Sequence, residues 1–261
     1  MRQARAVGAA EPCGGHDIMD HMPGVLDVVK RAYFDLRDVY QHLNSLVIMA
    51  FILTLAVSAV GFFLSGLGIA SLSLIVHLLV NVAFGFVIAP YLIAVHRFII
   101  LGEVTKRYDL TPEDPRFRRF FGWTIVFALL SAAPAILTSI LPLGFLRPLL
   151  TLILAIGVLV VTLRLILVLP AVAVDSDRVT WQNAMADTDG YAGRIFLIGL
   201  VAALPVAIVA GILAGIFTSF GFIVFALVAV LIEAAAGCII ISLLVVIASR
   251  VYEWLGDRVR A

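Results

Sequence analysis

Residues 164–194 read RLILVLPAVAVDSDRVTWQNAMADTDGYAGR, and this stretch decides the fold. It begins in an apolar run that contains Arg164, passes Pro170 and turns polar after Val174. At Arg194 a second apolar run begins. The pattern predicts a chain that leaves a lipid bilayer just past Pro170, crosses a short polar segment and re-enters the bilayer at Arg194.

The composition predicts a membrane protein. Of the 261 residues, 63% are hydrophobic and 13% are charged, and the mean hydropathy is +1.14. A soluble domain has about a quarter of its residues charged, so lipid is expected to cover the long apolar runs of this chain. The 18 basic and 17 acidic residues nearly cancel, which indicates no nucleic-acid partner.

Six apolar runs each reach the roughly 20 residues that cross a bilayer as a helix. They cover residues 46–65, 71–94, 120–141, 149–174, 195–217 and 222–249. Short links at 66–70, 142–148 and 219–221 join them in pairs. We therefore expect an all-α, polytopic membrane protein whose six transmembrane helices form three hairpins, with cytoplasmic amphipathic connectors between them.

Two regions precede the spans. Residues 1–23 mix Gly, Ala, Asp, His and Pro without a period, which predicts a disordered cytoplasmic tail before a membrane domain of residues 24–261. Residues 25–43 carry apolar side chains at helical spacing with charged residues opposite, which predicts an amphipathic helix. We expect this helix to lie on the membrane surface or to pack against the bundle.

The basic residues predict the orientation in the membrane. Sixteen of the 18 Lys and Arg residues fall in the N-terminal segment, the two long links and the C-terminal tail. All four segments lie on one side of a six-span bundle, and the positive-inside rule assigns that side to the cytoplasm. The expected location is a bacterial inner membrane, with both termini in the cytoplasm.

A spacing of 75 residues recurs between two parts of the chain. It relates Val104-Thr105 to Val179-Thr180, Arg119 to Arg194, and Phe121 to Phe196. A polar or amphipathic stretch precedes each hairpin, at 25–43, 101–119 and 178–194, which predicts a triplicated unit. Within the second stretch, Thr111 as N-cap and Pro112 after it predict a helix that continues into the third span.

Polar side chains inside the apolar runs are the candidate functional residues, because lipid penalises them. Four stand out: His77, Asn81, Arg164 and Glu233. Arg164 precedes Asp175 by 11 residues, which places it about 16 Å deep along a continuous helix. There it leans outward towards Glu233, and the two can pair, with Asn81 alongside, if these spans adjoin.

Two interpretations of these residues stay open. In the favoured one, Arg164 and Glu233 form a buried ion pair that fixes helix register, or Arg164 reaches back to the interface. In the other, the cluster binds a proton, an ion or a headgroup. If Arg164 and Glu233 point to opposite sides of the bundle, the pair does not exist.

Small residues predict close packing in the last hairpin. Gly211 and Gly215 form a GxxxG at about the depth of Ala234 to Gly237 in the next span. Packing between these two helices is favoured over dimerisation through the same glycines. No nucleophile–base, phosphate-binding or metal motif is evident, so we expect no enzyme, no cofactor and no metal site. Asp175, Asp177, Asp187 and Asp189 are expected to cap helices and stay hydrated.

Residues 169–174, LPAVAV, together with Ala184, Thr188, Gly190 and Arg194, carry a family resemblance. They resemble the bacterial multi-span membrane domain that is joined to glycerophosphodiester phosphodiesterases, and its uncharacterised free-standing relatives. In that family, a proline-containing exit leads through a short amphipathic helix and a Thr/Ser-x-Gly turn to the next span. The matching positions hold small and apolar residues, so the resemblance implies a membrane fold and not phosphodiesterase activity.

The expected function is that of a non-enzymatic scaffold or regulator, with membrane lipids and a membrane protein as its partners. The alternative is a small-solute or lipid transporter with a polar site near Arg164, Asn81 and Glu233. A water-lined cavity around those three residues favours transport, whereas a closed bundle favours the scaffold.

Overall fold

The computed structural model describes residues 23–66, 73–140 and 144–260. Over these ranges the protein is helical and contains no β-strand. The ten α-helices described are α1 Val25–His42, α2 Asn44–Gly66, α3 Ser73–Leu101, α4 Pro115–Ile140, α5 Arg147–Arg164, α6 Val168–Ala173, α7 Trp181–Asp187, α8 Ala192–Ser219, α9 Ile223–Leu255 and α10 Asp257–Arg260. A 3-10 helix, Gly144–Leu146, precedes α5. Apart from Pro23, the predicted tail of residues 1–23 lies outside the described residues.

Six stretches are long and apolar enough to cross a membrane, which confirms the six-span, all-α prediction. They are Asn44–Phe63, Leu78–Leu101, Pro115–Ser139, Gly144–Ala173, Ala192–Ser219 and Ile223–Leu255. The protein is therefore a multi-pass membrane protein. The three-hairpin repeat stays a prediction.

The end of α3 differs from the sequence prediction. The second span was expected to end at residue 94, before His96 and Arg97, yet α3 continues to Leu101. His96 is buried, and its Nδ1 lies 2.8 Å from Ser249 Oγ. Because this contact with α9 satisfies the polar ring, the histidine does not end the buried part of the helix.

The start of α4 was also predicted wrongly. Thr111 is not the N-cap, because residues 112–114 form a turn and the helix begins at Pro115. Asp114 takes the capping role: its Oδ1 accepts the backbone N–H of Arg116 at 2.8 Å. An acidic N-cap followed by proline at the first helical position is the better start signal, and it lies three residues later. The helix then runs on into the third span, as predicted.

The fourth span is broken, although the sequence predicted one run over 149–174. Helix α5 ends at Arg164, residues 165–167 form a turn, and α6 begins at Val168. Pro170 lacks the N–H that would donate to the carbonyl of Ile166, and its ring crowds that carbonyl. The break therefore falls in the turn that precedes the proline.

Helix α9 lies at the centre of the bundle. Of its apolar stretch 44% is buried, against 11% to 33% for the other five spans. It packs against α1, α2, α3 and α8. Beside the His96–Ser249 contact, Tyr91 Oη lies 2.5 Å from Ser242 Oγ, so two buried polar contacts join α3 to α9.

The predicted amphipathic helix is confirmed as α1, and it packs against the bundle. Its buried residues are Val28, Val29, Ala32, Leu36 and Val39, the apolar face of the sequence pattern. Tyr33 Oη donates to the carbonyl of Ala202 in α8 at 2.7 Å. Asp35 accepts two hydrogen bonds from Arg250 in α9. Apolar packing and long-range polar bonds together hold α1 in place.

The three segments that precede the predicted hairpins differ from one another in secondary structure. The first is the 18-residue α1, whereas residues 102–114 form an irregular link after Gly102, whose φ is +70°. The third contains α7, whose N-cap Thr180 accepts the N–H of Asn183. Thr180 caps a helix and Thr105 does not, whereas Arg119 and Arg194 both lie near the start of a span helix, so secondary structure matches the 75-residue spacing only in part.

Helices α8 and α9 pack against each other as predicted, but not through the GxxxG residues. Gly211 and Gly215 are exposed, and a Cβ at either position would meet nothing within 4 Å. Helix α8 packs through a different face, whose buried residues are Ile195, Ile198, Ala202 and Ala214. A Cβ at Gly237 would lie 3.4 Å from Thr54 Cγ2, so the small residues of α9 face α2 there. Helical phase, not depth, decides which face of α8 meets α9.

Candidate functional site

The predicted polar site does not assemble. Arg164 Nη2 lies 2.7 Å from Asp189 Oδ1 and donates to the carbonyl of Met185 at 2.9 Å. Glu233 is exposed on α9 and forms no ion pair within the described part of the chain. Asn81 is exposed on α3, and the side chain of His77 lies outside the described residues. Arg164 therefore does not pair with Glu233; it reaches back to the polar connector, which is the other form of the favoured interpretation.

Arg164 fastens the end of α5 to the connector that contains α7. A cation beside the last carbonyls of a helix is favourable, because the helix dipole is negative there. The buried Thr188 adds a second link, since its Oγ1 lies 2.8 Å from the carbonyl oxygens of both Arg164 and Ala184. Gly190 then adopts a φ of +77°, which turns the chain into α8. These residues form a joint.

A second group of charges surrounds Asp175, where the chain leaves α6. Both carboxylate oxygens of Asp175 accept from Arg116 Nε, at 2.8 and 2.9 Å, and Arg97 Nη1 lies 3.3 Å away. Arg97 also donates to Glu103 and to the carbonyl of Ala173. The hydrogen bonds from Arg116 hold the pKa of Asp175 below its usual value. Asp175 has a φ of +56°, a left-handed conformation that aspartate tolerates better than most residues.

Asp187 in α7 binds the backbone of α10, close to the C-terminus. Its carboxylate accepts the backbone N–H groups of Arg258 and Val259, each at 3.0 Å, and so caps α10. The side chain is only 4% exposed, and burial raises its pKa. Ser176 donates to the carbonyl of Val259, which adds a bond between the exit of α6 and α10.

The aspartates between the fourth and fifth spans were expected to cap helices and stay hydrated. Capping is confirmed for Asp187, which caps α10. Asp175 and Asp189 are instead bound to arginines from other segments. Within the described ranges, no group of three His, Cys, Asp or Glu residues is placed to hold a metal ion. Asp175, Asp187 and Asp189 bind different partners, Asp177 is exposed, and the four acids do not converge on one site.

We refer to α1, α7, α10, residues 102–114 and the helix ends beside them as the polar end. Three of the described cavities lie there. One, of about 270 Å³, is lined by three arginines and three acids: Arg97, Arg107, Arg116, Glu103, Asp109 and Asp114. A second, of about 420 Å³, lies between α4 and the exit of α6. A third, of about 380 Å³, lies beside Tyr252, Glu253 and Arg260. None of the three is lined by Arg164, Asn81 or Glu233.

A polar layer between α1, α3 and α9 was not predicted from the sequence. Ser242 contacts Tyr91 and also hydrogen-bonds Tyr40, whose pKa is raised to about 12 by burial. One signal was available: Ser242 and Ser249 are seven residues apart, which places them on one face of a helix. Their partners Tyr91 and His96 lie some 150 residues away, at separations of 151 and 153, and no local pattern identifies such partners.

We compared the chain with known proteins. No protein family, curated protein or solved structure matches it.

Proposed function

We propose that this multi-pass membrane protein is a non-enzymatic scaffold or regulator, and that its polar end is the surface that binds a protein partner. One observation supports this proposal above others: ion pairs between distant segments fix the polar end. Asp35 in α1 pairs with Arg250 in α9, which is 215 residues away. Asp175 joins α4 to the exit of α6, and Asp189 joins α5 to the connector before α8.

The distribution of these pairs favours binding over transport. Alternating access requires one part of a bundle to rock against another around a central site. Here α1, α3, α4, α5 and α9 each hold a partner in another segment. Exposed pairs contribute little singly, but Asp35 and Arg250 are only 12% and 15% exposed, so their separation is costly. The transport alternative, near Arg164, Asn81 and Glu233, lacks a shared cavity among those described.

We also propose that the protein lies in a bacterial inner membrane and belongs to the membrane-domain family that it resembles. Sixteen of 18 basic residues lie at the polar end or in the N-terminal segment, which supports a cytoplasmic orientation for that end. The resemblance to the membrane domain of glycerophosphodiester phosphodiesterases supports a bacterial inner membrane. In this chain, the Thr188 and Gly190 of that pattern serve as the joint after α7.

Quantitative copurification from native membranes tests the proposal. The tagged wild type is compared with Arg250→Gln, which removes the ion pair between α1 and α9, and with Arg147→Gln at the start of α5. We expect a specific membrane protein to be retained by the wild type and by Arg147→Gln, and to be lost from Arg250→Gln. Solute uptake by proteoliposomes that contain the purified wild type would overturn the scaffold in favour of transport.

A further inference from the structure

The cavity of about 420 Å³ at the polar end lies against one face of α4. Its lining on that helix is Arg119, Gly122, Trp123 and Val126, at the spacing of one helical face. The opposite wall is the exit of α6, with Val172, Asp175, Ser176, Asp177 and Val179. Arg119 lies four residues and Val126 eleven residues past the first residue of α4, or about 6 and 16 Å along its axis. The cavity therefore runs from the polar end towards the apolar part of the bundle.

The outer part of the cavity carries charges of both signs. Arg119 and Asp177 are exposed, and neither forms an ion pair within the described part of the chain. Asp175, by contrast, is already bound by Arg97 and Arg116. Arg119 and Asp177 can therefore bind a ligand, and the carboxylate of Asp175 beside them is already paired.

The inner part of the cavity is apolar. Trp123, Val126 and Val172 line it, and a Cβ at Gly122 would meet nothing within 4 Å. Tryptophan is enriched at the level of lipid headgroups, where its ring spans the polar and apolar regions. The cavity therefore offers charges at the height of a headgroup and an apolar wall below it.

We propose that this cavity binds a zwitterionic phospholipid with an ammonium headgroup, with Arg119 on the phosphate and Asp177 on the ammonium. An anionic lipid can use Arg119 but offers no ammonium to the carboxylate of Asp177. A free headgroup can use both charges but leaves the wall of Trp123, Val126 and Val172 uncovered. The apolar wall thus favours the lipid over its soluble headgroup.

Native mass spectrometry of the full-length protein tests this inference. The probes are phosphatidylethanolamine and phosphatidylglycerol with identical acyl chains, added to delipidated protein in detergent. We expect the wild type to prefer phosphatidylethanolamine. Arg119→Gln is expected to weaken binding of both lipids about tenfold, because a charge-assisted hydrogen bond is lost. Asp177→Asn is expected to remove the preference between them.

Gly122→Leu fills the cavity from a helical position with open space, and Gly157→Leu is its matched control on α5, where a Cβ also meets nothing within 4 Å. We expect Gly122→Leu to abolish specific binding and Gly157→Leu to retain it, at unchanged thermal stability. Equal binding of the two lipids by the wild type, or binding that Gly122→Leu does not alter, would overturn the site. Displacement of the lipid by an equal concentration of O-phosphoethanolamine would overturn its assignment to a lipid. Because Arg119 is exposed, Arg119→Gln keeps the test valid if Gly122→Leu does not fold.

Discussion

The guanidinium of Arg250 holds the carboxylate of Asp35 across 215 residues of sequence, with Nε 2.6 Å from Oδ2 and Nη2 2.8 Å from Oδ1. Both side chains are largely shielded from solvent, and Arg250 Nη1 also binds Glu253 Oε2 at 2.7 Å. The pair joins the amphipathic helix α1 to the central helix α9. It fixes the position of α1 on the polar end.

Removing one partner of this pair is expected to destabilise the protein. Arg250→Met leaves Asp35 as a shielded charge without its cation, a loss of about 3 kcal/mol or more in the free energy of unfolding. Arg37→Met on the exposed face of α1 is the control and is expected to cost less than about 0.5 kcal/mol. Thermal unfolding in detergent measures both. Equal melting temperatures for the two variants would show that the pair does not hold α1.

Length and periodicity were sufficient to predict the six spans and α1, but not where each helix begins, ends or breaks. A backbone in lipid must satisfy its own hydrogen bonds, so an apolar run of about 20 residues indicates a helix whatever its neighbours are. The face of α1 was predictable for a similar reason, because the spacing of Val28, Ala32 and Val39 is itself the signal. Both signals are local in sequence.

The partners of the polar residues were not predictable, because they depend on helix phase and on breaks. The depth of Arg164 was estimated by counting residues along an unbroken helix. The turn at residues 165–167 invalidates that count and lets the side chain reach Asp189. Similarly, nothing in the sequence near Asp35 identifies Arg250. The candidate site was therefore misplaced, although the six apolar helical spans were predicted correctly.

Two aspartates at the polar end are expected to give opposite pH dependences. The pKa of Asp175 is lowered in the folded protein, so its contribution to stability is present above the unfolded pKa of about 4 and is lost as the pH falls through the folded value. The pKa of Asp187 is raised, so its contribution is present below about pH 4 and is lost as the pH rises through the folded value.

Substitution by asparagine separates the two effects. Asp175→Asn is expected to remove part of the stability gained between acidic and neutral pH, and Asp187→Asn is expected to increase that gain. The measurement is the unfolding midpoint of the wild type and both variants as a function of pH, at fixed ionic strength. If both substitutions shift the pH profile in the same direction, one of the two assignments is wrong.

The exposed glycines of α8 are expected to tolerate larger side chains. Alanine at Gly211 or Gly215 meets no neighbour, and it is the better helix former by about 0.5–1 kcal/mol, so stability should stay unchanged or rise slightly. Leucine at Gly237 should destabilise the fold, because it would be forced against Thr54 in α2. Thermal unfolding of the monomer in detergent compares the three variants. If alanine at Gly211 or Gly215 lowered the melting temperature, these glycines would lie in a packed interface, contrary to this prediction.

Arg164 and Glu233 are expected to respond independently to substitution. Arg164→Gln loses the bond to Asp189, and because that carboxylate is 77% exposed, the cost should be only about 1 kcal/mol. The local effect should be larger: amide hydrogen exchange should accelerate over 181–190, where α7 and the Thr188 turn lose their fastening to α5. Glu233→Gln removes a charge from the outer surface of a membrane span, where lipid penalises it, so stability should stay unchanged or rise and exchange over 181–190 should not change. If either variant accelerated amide hydrogen exchange around both Arg164 and Glu233, the two residues would be coupled, contrary to this prediction.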